Sequence, residues 1–306
     1  MPPFFCYNHQ GKATGYIDAL AARDWQLVRR IDKALFILSD IDAYSRTKTL
    51  AEHHRRGVPI FLYPHAATPN LWWDFPSQSF SKVVTAHFVP AQGHIDIMRA
   101  YGVPYKLHAV GFHLCPILPF RPRKKVRNVL FAPIHPNSNG FLGKVDKDIN
   151  IQVFDKLLPL VKDGSISLTI RYLDKLEQNG LRQVEGVEYI QGERNLGYAE
   201  IDAADLVIST CTHAYLAIAR GVPTLMIAEW TPTHIGGSEA ALEYIASWDK
   251  YKDIMMYPLD FLTDEPADVL FKHAIESDRC IAEWRSRMIG KPFEANHFVD
   301  VVESYL

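Results

Sequence analysis

The sequence has no apolar run that could cross a bilayer: its longest, such as Leu206–Ser209 and Val222–Ala228, stop far short of the roughly 20 residues needed. Its four cysteines (Cys6, Cys115, Cys211, Cys280) stand far apart with no Cys-x-x-Cys pair, which argues against a zinc cage and against a disulfide-stapled secreted fold. Charge of neither sign predominates. The balance of 33 Lys and Arg against 35 Asp and Glu is -2, so there is no global basic field of the kind that holds nucleic acid regardless of sequence. The Gly-x-Gly-x-x-Gly fingerprint of nicotinamide and flavin binding is missing, as are internal repeats and low-complexity tracts. The opening MPPFFCYNHQ lacks the basic region and the long apolar region of a secretory signal, so the cytoplasm is the expected compartment.

What is present is the composition of a globular protein, 306 residues of which 48% are hydrophobic and 22% charged, a length that favours two domains. Short apolar runs alternate with amphipathic stretches along nearly the whole chain, the pattern of βα units around parallel sheets, so the fold class expected is α/β. In the first part, strands are expected at Pro3–Tyr7, Ala34–Leu38, Ile60–Tyr63, Val83–Phe88 and Lys106–Val110, with helices at Tyr16–Arg23, Tyr44–Arg56 and Gly93–Tyr101. Residues 112–127, FHLCPILPFRPRKKVR, then hold three prolines and, counting His113, six basic residues without any period, which reads as a stiff linker. The alternation restarts with strands at Asn128–Ala132, Ser167–Tyr172, Val187–Ile190, Leu206–Ser209 and Pro223–Ile227 and helices at Asn150–Val161, Gly197–Ala203 and Thr212–Ala219. Further helices are expected near Glu239–Trp248 and Ala267–Arg287, and an amphipathic segment at Phe293–Tyr305. The division expected is a first domain over 1–116, a linker over 117–127, a second domain over 128–290 and a terminal segment over 291–306.

In open α/β sheets ligands gather outside the carboxyl ends of the strands, so the loops that follow strands are where chemistry is sought. The first strand runs into Asn8-His9-Gln10-Gly11-Lys12-Ala13-Thr14-Gly15, where glycines permit close backbone approach and the next helix offers its N–H groups. An ordinary βα turn has the same composition. The strand Ile60–Tyr63 ends in Pro64-His65, and an imidazole fixed there by the preceding proline suits general acid–base work near neutrality, or equally a structural place beside the aromatic Trp72-Trp73. Beyond Asn128–Ala132, Asn137 and Ser138 precede Asn139-Gly140 and supply the donors of a phosphate nest or of a solvated turn. The stretch Leu206 to Ala219 is more specific. A strand ends in the hydroxyls of Ser209 and Thr210, a helix follows with Thr212 as its expected N-cap, and a His213 imidazolium beside it would complete an anion site. Gly236-Gly237-Ser238-Glu239 places small residues before a helix, which serves a phosphate or a plain helix start. The adjacent His53 and His54 point in different directions and cannot share a metal, so both are expected at the surface. The basic residues of 121–127 are read as a solvated face.

Several of these stretches resemble the GT-B glycosyltransferases. ADLVISTCTHAYLAIARGVPTL (204–225) is similar to their donor-site segment, VRNVLFAP (126–133) to the strand that opens their nucleotide-binding domain, and HIDIMRAYGVPYKLHAVGF (94–112) to the end of their N-terminal domain. By motif the nearest groups are the CDP-glycerol glycerophosphotransferases and, more distantly, the non-hydrolysing UDP-GlcNAc 2-epimerases. The chain departs from these patterns at identifiable places. Leu216 stands where retaining members carry a Glu, His65-Ala66-Ala67-Thr68 lacks the carboxylate of the epimerases and the glycine of the glycerophosphotransferases, and Arg171-Tyr172-Leu173 replaces a His-Pro.

The resemblance implies two Rossmann-like domains with a cleft between them, the last helix returning to the first domain. It implies transfer of a sugar from a UDP-, CDP- or GDP-linked donor, bound by the second domain, to an acceptor hydroxyl held by the first, the acceptor being a glycan, a lipid-linked group or a nucleic acid. His65 is then the general base with His9 in reserve. Asn137, Ser138, Ser209, Thr210, Thr212, His213, Gly236, Gly237 and Glu239 bind the donor, and Asn8, Gln10 and Gly11 form the acceptor-side loop. Nothing is read as an Asp-x-Asp for donor metal, so neither a metal nor another obligate cofactor is expected. Polyol-phosphate transfer, epimerisation of the nucleotide sugar, and binding of nucleotide sugar or nucleic acid without turnover stay open as alternatives.

Overall fold

Runs such as Phe36-Ile37-Leu38 and Ile60-Phe61-Leu62 are apolar at every position rather than at alternate ones, which suits strands covered on both faces. The computed structural model describes residues 1–7, 11, 13–40, 47–64, 81–100, 102–135, 141–173, 175–192, 197–227, 259–276 and 278–306. The chain divides into two units, Met1–Pro116 with Ser286–Leu306, and Ile117–Arg285.

The first unit holds β1 (Pro3–Tyr7), β2 (Gln26–Leu27), β3 (Phe36–Asp40), β4 (Ile60–Tyr63), β5 (Ala86–Val89) and β6 (Lys106–Ala109). They form one sheet in the order β2-β1-β3-β4-β5-β6, parallel throughout. Helices α1 (Thr14–Ala21), α2 (Thr47–Arg55) and α3 (Gln92–Ala100) connect its strands. One buried cluster gathers Phe4, Tyr16, Phe36, Phe61 and Phe88 with Phe298 and Val302 of the chain's last helix, Ala295–Glu303. That helix is held by Arg23, which donates to Asp300 at 3.1 Å and to Glu303 at 2.9 Å, and by Trp25 Nε1, which donates to Glu303 at 3.1 Å. A second cluster, around Ile37, Leu50, Ile60 and Leu62, packs separately. Two details differ from the sequence expectation. The strand expected from Ala34 begins at Phe36, because Ile31–Lys33 closes a 3-10 turn just before it. His53 is buried at 6% exposure, since it lies on the inner face of α2, while its neighbour His54 is exposed.

The second unit holds β7 (Asn128–Ala132), β8 (Ser167–Tyr172), β9 (Val187–Gln191), β10 (Leu206–Ser209) and β11 (Thr224–Met226), in the parallel order β11-β10-β7-β8-β9. Its helices are α4 (Phe141–Lys162), α5 (Tyr198–Ala203), α6 (Cys211–Ala219), α7 (Ala267–Glu276) and α8 (Asp278–Trp284). Helix α4 starts well before the Asn150 expected for it. The buried polar residues Asp146 and Asn150 interrupt its apolar period and hide the first turns from a sequence reading. Over the span expected as one helix, 267–287, the structure has α7 and α8, with residue 277 outside the described residues, and a π turn at Arg285–Ile289. Residues 117–127 belong to this unit and are tied to it. Leu118 N donates to Ala219 O (2.8 Å), Arg121 N to Gly221 O (2.7 Å) and Arg123 Nε to Asp205 (3.0 Å). Prolines withhold their own N–H groups, but the residues between them still bond, so composition alone conceals the attachment. The helix expected at 239–248 lies outside the described residues, and among those described no helix is long and apolar enough to cross a membrane.

Candidate functional site

In the second unit, strand succession runs outward from β7 through β8 to β9, then returns to the other side of β7 for β10 and β11. The reversal leaves a crevice at the carboxyl ends of β7 and β10, the place where doubly wound sheets bind ligands. Ser209 ends β10 there. Its hydroxyl donates to Ala132 O of β7 at 3.0 Å and, more weakly, to Thr210 O at 3.2 Å, and the side chain is 1% exposed. Ser209 therefore ties the two strands together, its O–H engaged by backbone carbonyls.

Helix α6 begins immediately after. Its N-cap is Thr210, not Thr212, in an extended conformation (φ -121, ψ 168) and without a side-chain cap. A helix's first N–H groups have no partner inside the helix, and the Thr210 side chain does not cap them here. Thr212 sits in the first turn, partly exposed. Beyond its opening the helix is buried from Ala214 to Ala219, Leu216 included, so it is anchored in the core and presents only its amino end.

Beside that end lies a cation the sequence reading passed over as a departure. Arg171 is the penultimate residue of β8, yet its side chain is only 1% exposed. Its Nη1 lies 3.1 Å from His213 Nε2, and its Nε lies 3.8 Å from Glu200 of α5. Two glycines make room. A methyl group on Gly192, just past β9, would come within 2.8 Å of the guanidinium carbon, and one on Gly197, before α5, within 2.5 Å of Nε. Gly197 also has φ +63, which disfavours any side chain. Burial lowers the Arg171 pKa and Glu200 partly restores it. For His213, loss of water first and the guanidinium second push the pKa down to about 4, so the imidazolium expected from sequence is a neutral ring at physiological pH.

The loops that leave β7 and β8 are set by two buried asparagines. Asn150 of α4 accepts from Ile134 N (2.8 Å) and donates to Ile134 O (2.8 Å) and Asn179 O (3.0 Å). Asn179 in turn donates to Leu173 O (3.0 Å) and Lys175 O (2.9 Å). Both side chains are fully buried, so this clamp pins the chain on its way to Asn137 and Ser138.

The fold matches solved structures. The chain is similar to the glycosyltransferase SnogD from Streptomyces nogalater (TM-score 0.52, 12% identity, 100% of each chain). It is similar also to the lipopolysaccharide outer core galactosyltransferase WaaB in its apo form (0.52, 11%, 100% of each) and to the wall teichoic acid polymerase TagF (0.51, 12%, 99% of this chain and 88% of the other). The chain has the GT-B fold. No protein-family profile and no curated protein matches the sequence.

Within this GT-B fold the first unit has a switch point of its own, between β1 and β3. Gly11 stands in the loop after β1 with φ +75, and its carbonyl accepts from the Thr14 hydroxyl at 2.6 Å, which fixes the turn into α1. Asp40 ends β3 fully buried and, after burial itself, is the second cause that raises the Cys6 thiol to about 12. Asp40-Ile41-Asp42 does spell an Asp-x-Asp, contrary to the sequence reading, although Asp42 lies outside the described residues. Among those described, no group of three or more His, Cys, Asp or Glu could hold a metal. At the end of β4, Tyr63 OH donates to Tyr7 O at 2.6 Å, holding two strand ends together directly before Pro64-His65.

The structure thus brings Ser209, Thr210, Thr212 and His213 to one strand–helix junction and places Gly11 in the other unit. Asn8, His9, Gln10, His65, Asn137, Ser138, Gly236, Gly237 and Glu239 lie outside the described residues. Sequence reasoning missed Arg171 and the Asn150–Asn179 clamp. The available signal was a charge closing an otherwise apolar strand and polar residues interrupting a helix period.

Proposed function

We propose that this chain is a glycosyltransferase that moves a sugar from a nucleotide-activated donor, UDP-, CDP- or GDP-linked, to an acceptor hydroxyl. One observation carries the reading: at the β7/β10 switch point an uncapped helix end stands beside a buried guanidinium and a neutral histidine. N–H donors at a helix terminus suit the oxygens of a diphosphate, and a cation held out of water strengthens their field. The likeness to proteins named as a glycosyltransferase and a galactosyltransferase supports it. By motif we keep the nearest kinship with the CDP-glycerol glycerophosphotransferase group.

In this proposal the second unit holds the donor through Thr210, Thr212, His213 and Arg171, with Asn137, Ser138, Gly236, Gly237 and Glu239 completing the site. The first unit holds the acceptor by the loop Asn8, Gln10 and Gly11. For an inverting transfer His65, or His9 in its stead, takes the acceptor proton as the new bond from oxygen to the anomeric carbon forms. The bond to the diphosphate oxygen breaks in the same step, and the negative charge it leaves falls on the α6 donors. No step requires a metal.

A thermal-shift screen against UDP, CDP, GDP, ADP and their sugars identifies the nucleotide, because a ligand of the native state raises its stability. Calorimetry with the nucleotide that stabilises most is then expected to show Thr212→Ala and His213→Ala weaker by about 1–3 kcal/mol each, the scale of a hydrogen bond to a charged group. Undiminished affinity in both folded variants would sink this placement.

A further inference from the structure

His213 meets Arg171 through a nitrogen that must accept. A guanidinium has N–H donors and no acceptor, so the 3.1 Å contact from Arg171 Nη1 requires Nε2 of His213 to be bare. A neutral imidazole with a bare Nε2 carries its proton on Nδ1. We propose that Arg171 is a positioning residue that locks His213 in its Nδ1–H tautomer, so that the ring meets the donor diphosphate as an uncharged hydrogen-bond donor. The diphosphate half of this rests on the donor site proposed above.

Several features hold the lock in place. The Arg171 stem is fixed in β8 and its guanidinium packs against the backbone at Gly192 and Gly197, where a Cβ would collide with it. Glu200 from α5 is a charged group facing the pair, 3.8 Å from Arg171 Nε. Arg220, just past the far end of α6, is engaged by Asp202 of α5. Protonation at Nε2 would set two cations against each other, and the ring's affinity for a proton is accordingly low. The consequence is chemical. An ordinary imidazolium donates from two nitrogens and loses one proton near neutrality. The locked ring instead offers a single donor unchanged across that range, matched to a phosphate oxygen, which only accepts.

Long-range ¹H–¹⁵N correlation on the labelled full chain reads the tautomer directly, with the His213→Gln spectrum identifying the signals. The expected pattern is a proton on Nδ1 and a bare Nε2, unchanged from pH 8 to pH 5.5. A proton on Nε2, or a titration midpoint near 6.5, overturns the proposal. Two variants test the agent. Arg171→Gln keeps an N–H donor toward Nε2 without the charge and is expected to retain the Nδ1–H form. Arg171→Met removes donor and charge together and is expected to mix the tautomers and move the midpoint toward 6.5. A folded Met variant that keeps the pure Nδ1–H pattern excludes Arg171 as the lock. Calorimetry with UDP, CDP and GDP separates this from the donor-site reading. Nucleotide affinity about tenfold or more weaker in the Met than in the Gln variant supports both. A parent chain that shows the Nδ1–H tautomer but binds none of the three overturns the diphosphate role and the donor site, while the tautomer lock stands.

Discussion

A guanidinium with 1% of its side chain exposed is costly to bury, and the Glu200 carboxylate at 3.8 Å and the His213 imidazole at 3.1 Å are among the groups that offset that cost for Arg171. In the proposed donor site that buried charge would face the diphosphate, which gives Arg171 more weight in the functional reading than the hydroxyls around it. On the acceptor side the corresponding expectation falls on His65. It follows Pro64 and the strand Ile60–Tyr63, whose four residues are buried. His65→Asn is expected to lower turnover about a hundredfold to ten-thousandfold, the usual contribution of a positioned base, with nucleotide affinity nearly unchanged. Steady-state kinetics beside calorimetry checks this. If His65→Asn turns over within a factor of a few of the parent while the His9 variant is inactive, the base is His9. If neither matters, histidine is not the base.

Elements position these side chains more than the side chains position themselves. Strand β8 carries Arg171 toward α6, with β7 lying between β8 and β10, and α4 sends Asn150 into the path of the chain leaving β7. Asn150 makes three hydrogen bonds in the interior, so Asn150→Leu abolishes them and leaves Ile134 N and O and Asn179 O without that partner. At about 1–3 kcal/mol for each buried group left unsatisfied, a loss of several kcal/mol in urea unfolding is expected, with weaker nucleotide binding in the folded fraction. A variant as stable as the parent would show that the clamp is dispensable. The beginning of α4 was hidden from the sequence by these same polar positions, which break a helical period while being fully buried.

For the whole molecule, the most general consequence is acid sensitivity. His87 on β5 and His94 on α3 are buried in the first unit, with pKa values lowered to about 3 and about 4. Burial is the first cause for both, joined for His87 by His94, while the bond from His94 Nε2 to Met288 O at 2.9 Å works weakly the other way. The folded state therefore keeps both rings neutral where the unfolded chain takes up protons. Stability from this source is complete above the unfolded value near 6.5, and it falls as pH drops toward the folded values. At pH 5 the loss is about 2 kcal/mol for each ring, from about 1.4 kcal/mol per pH unit. Urea unfolding at pH 7.5 and pH 5 is expected to show it, and His94→Gln to flatten the profile. A parent with equal stability at both pH values would contradict the account.

The α/β class, most of the strands and the junction after Ser209-Thr210 were legible in sequence, because strands buried on both faces are apolar at every position and hydroxyls mark helix starts. Strand β2, only two residues long, left no period to find. The order of the strands was not legible either, since any βα repeat is compatible with several orders, and it is the reversal at β7 that makes the end of β10 a crevice rather than one loop among many. Nor was the partner of His213, which stands 42 residues away at Arg171. A histidine's charge depends on what shares its space and on how much water reaches it. The sequence therefore determined that an imidazole begins α6, and only the tertiary structure decided that it is neutral and that the Ser209 hydroxyl beside it belongs to Ala132.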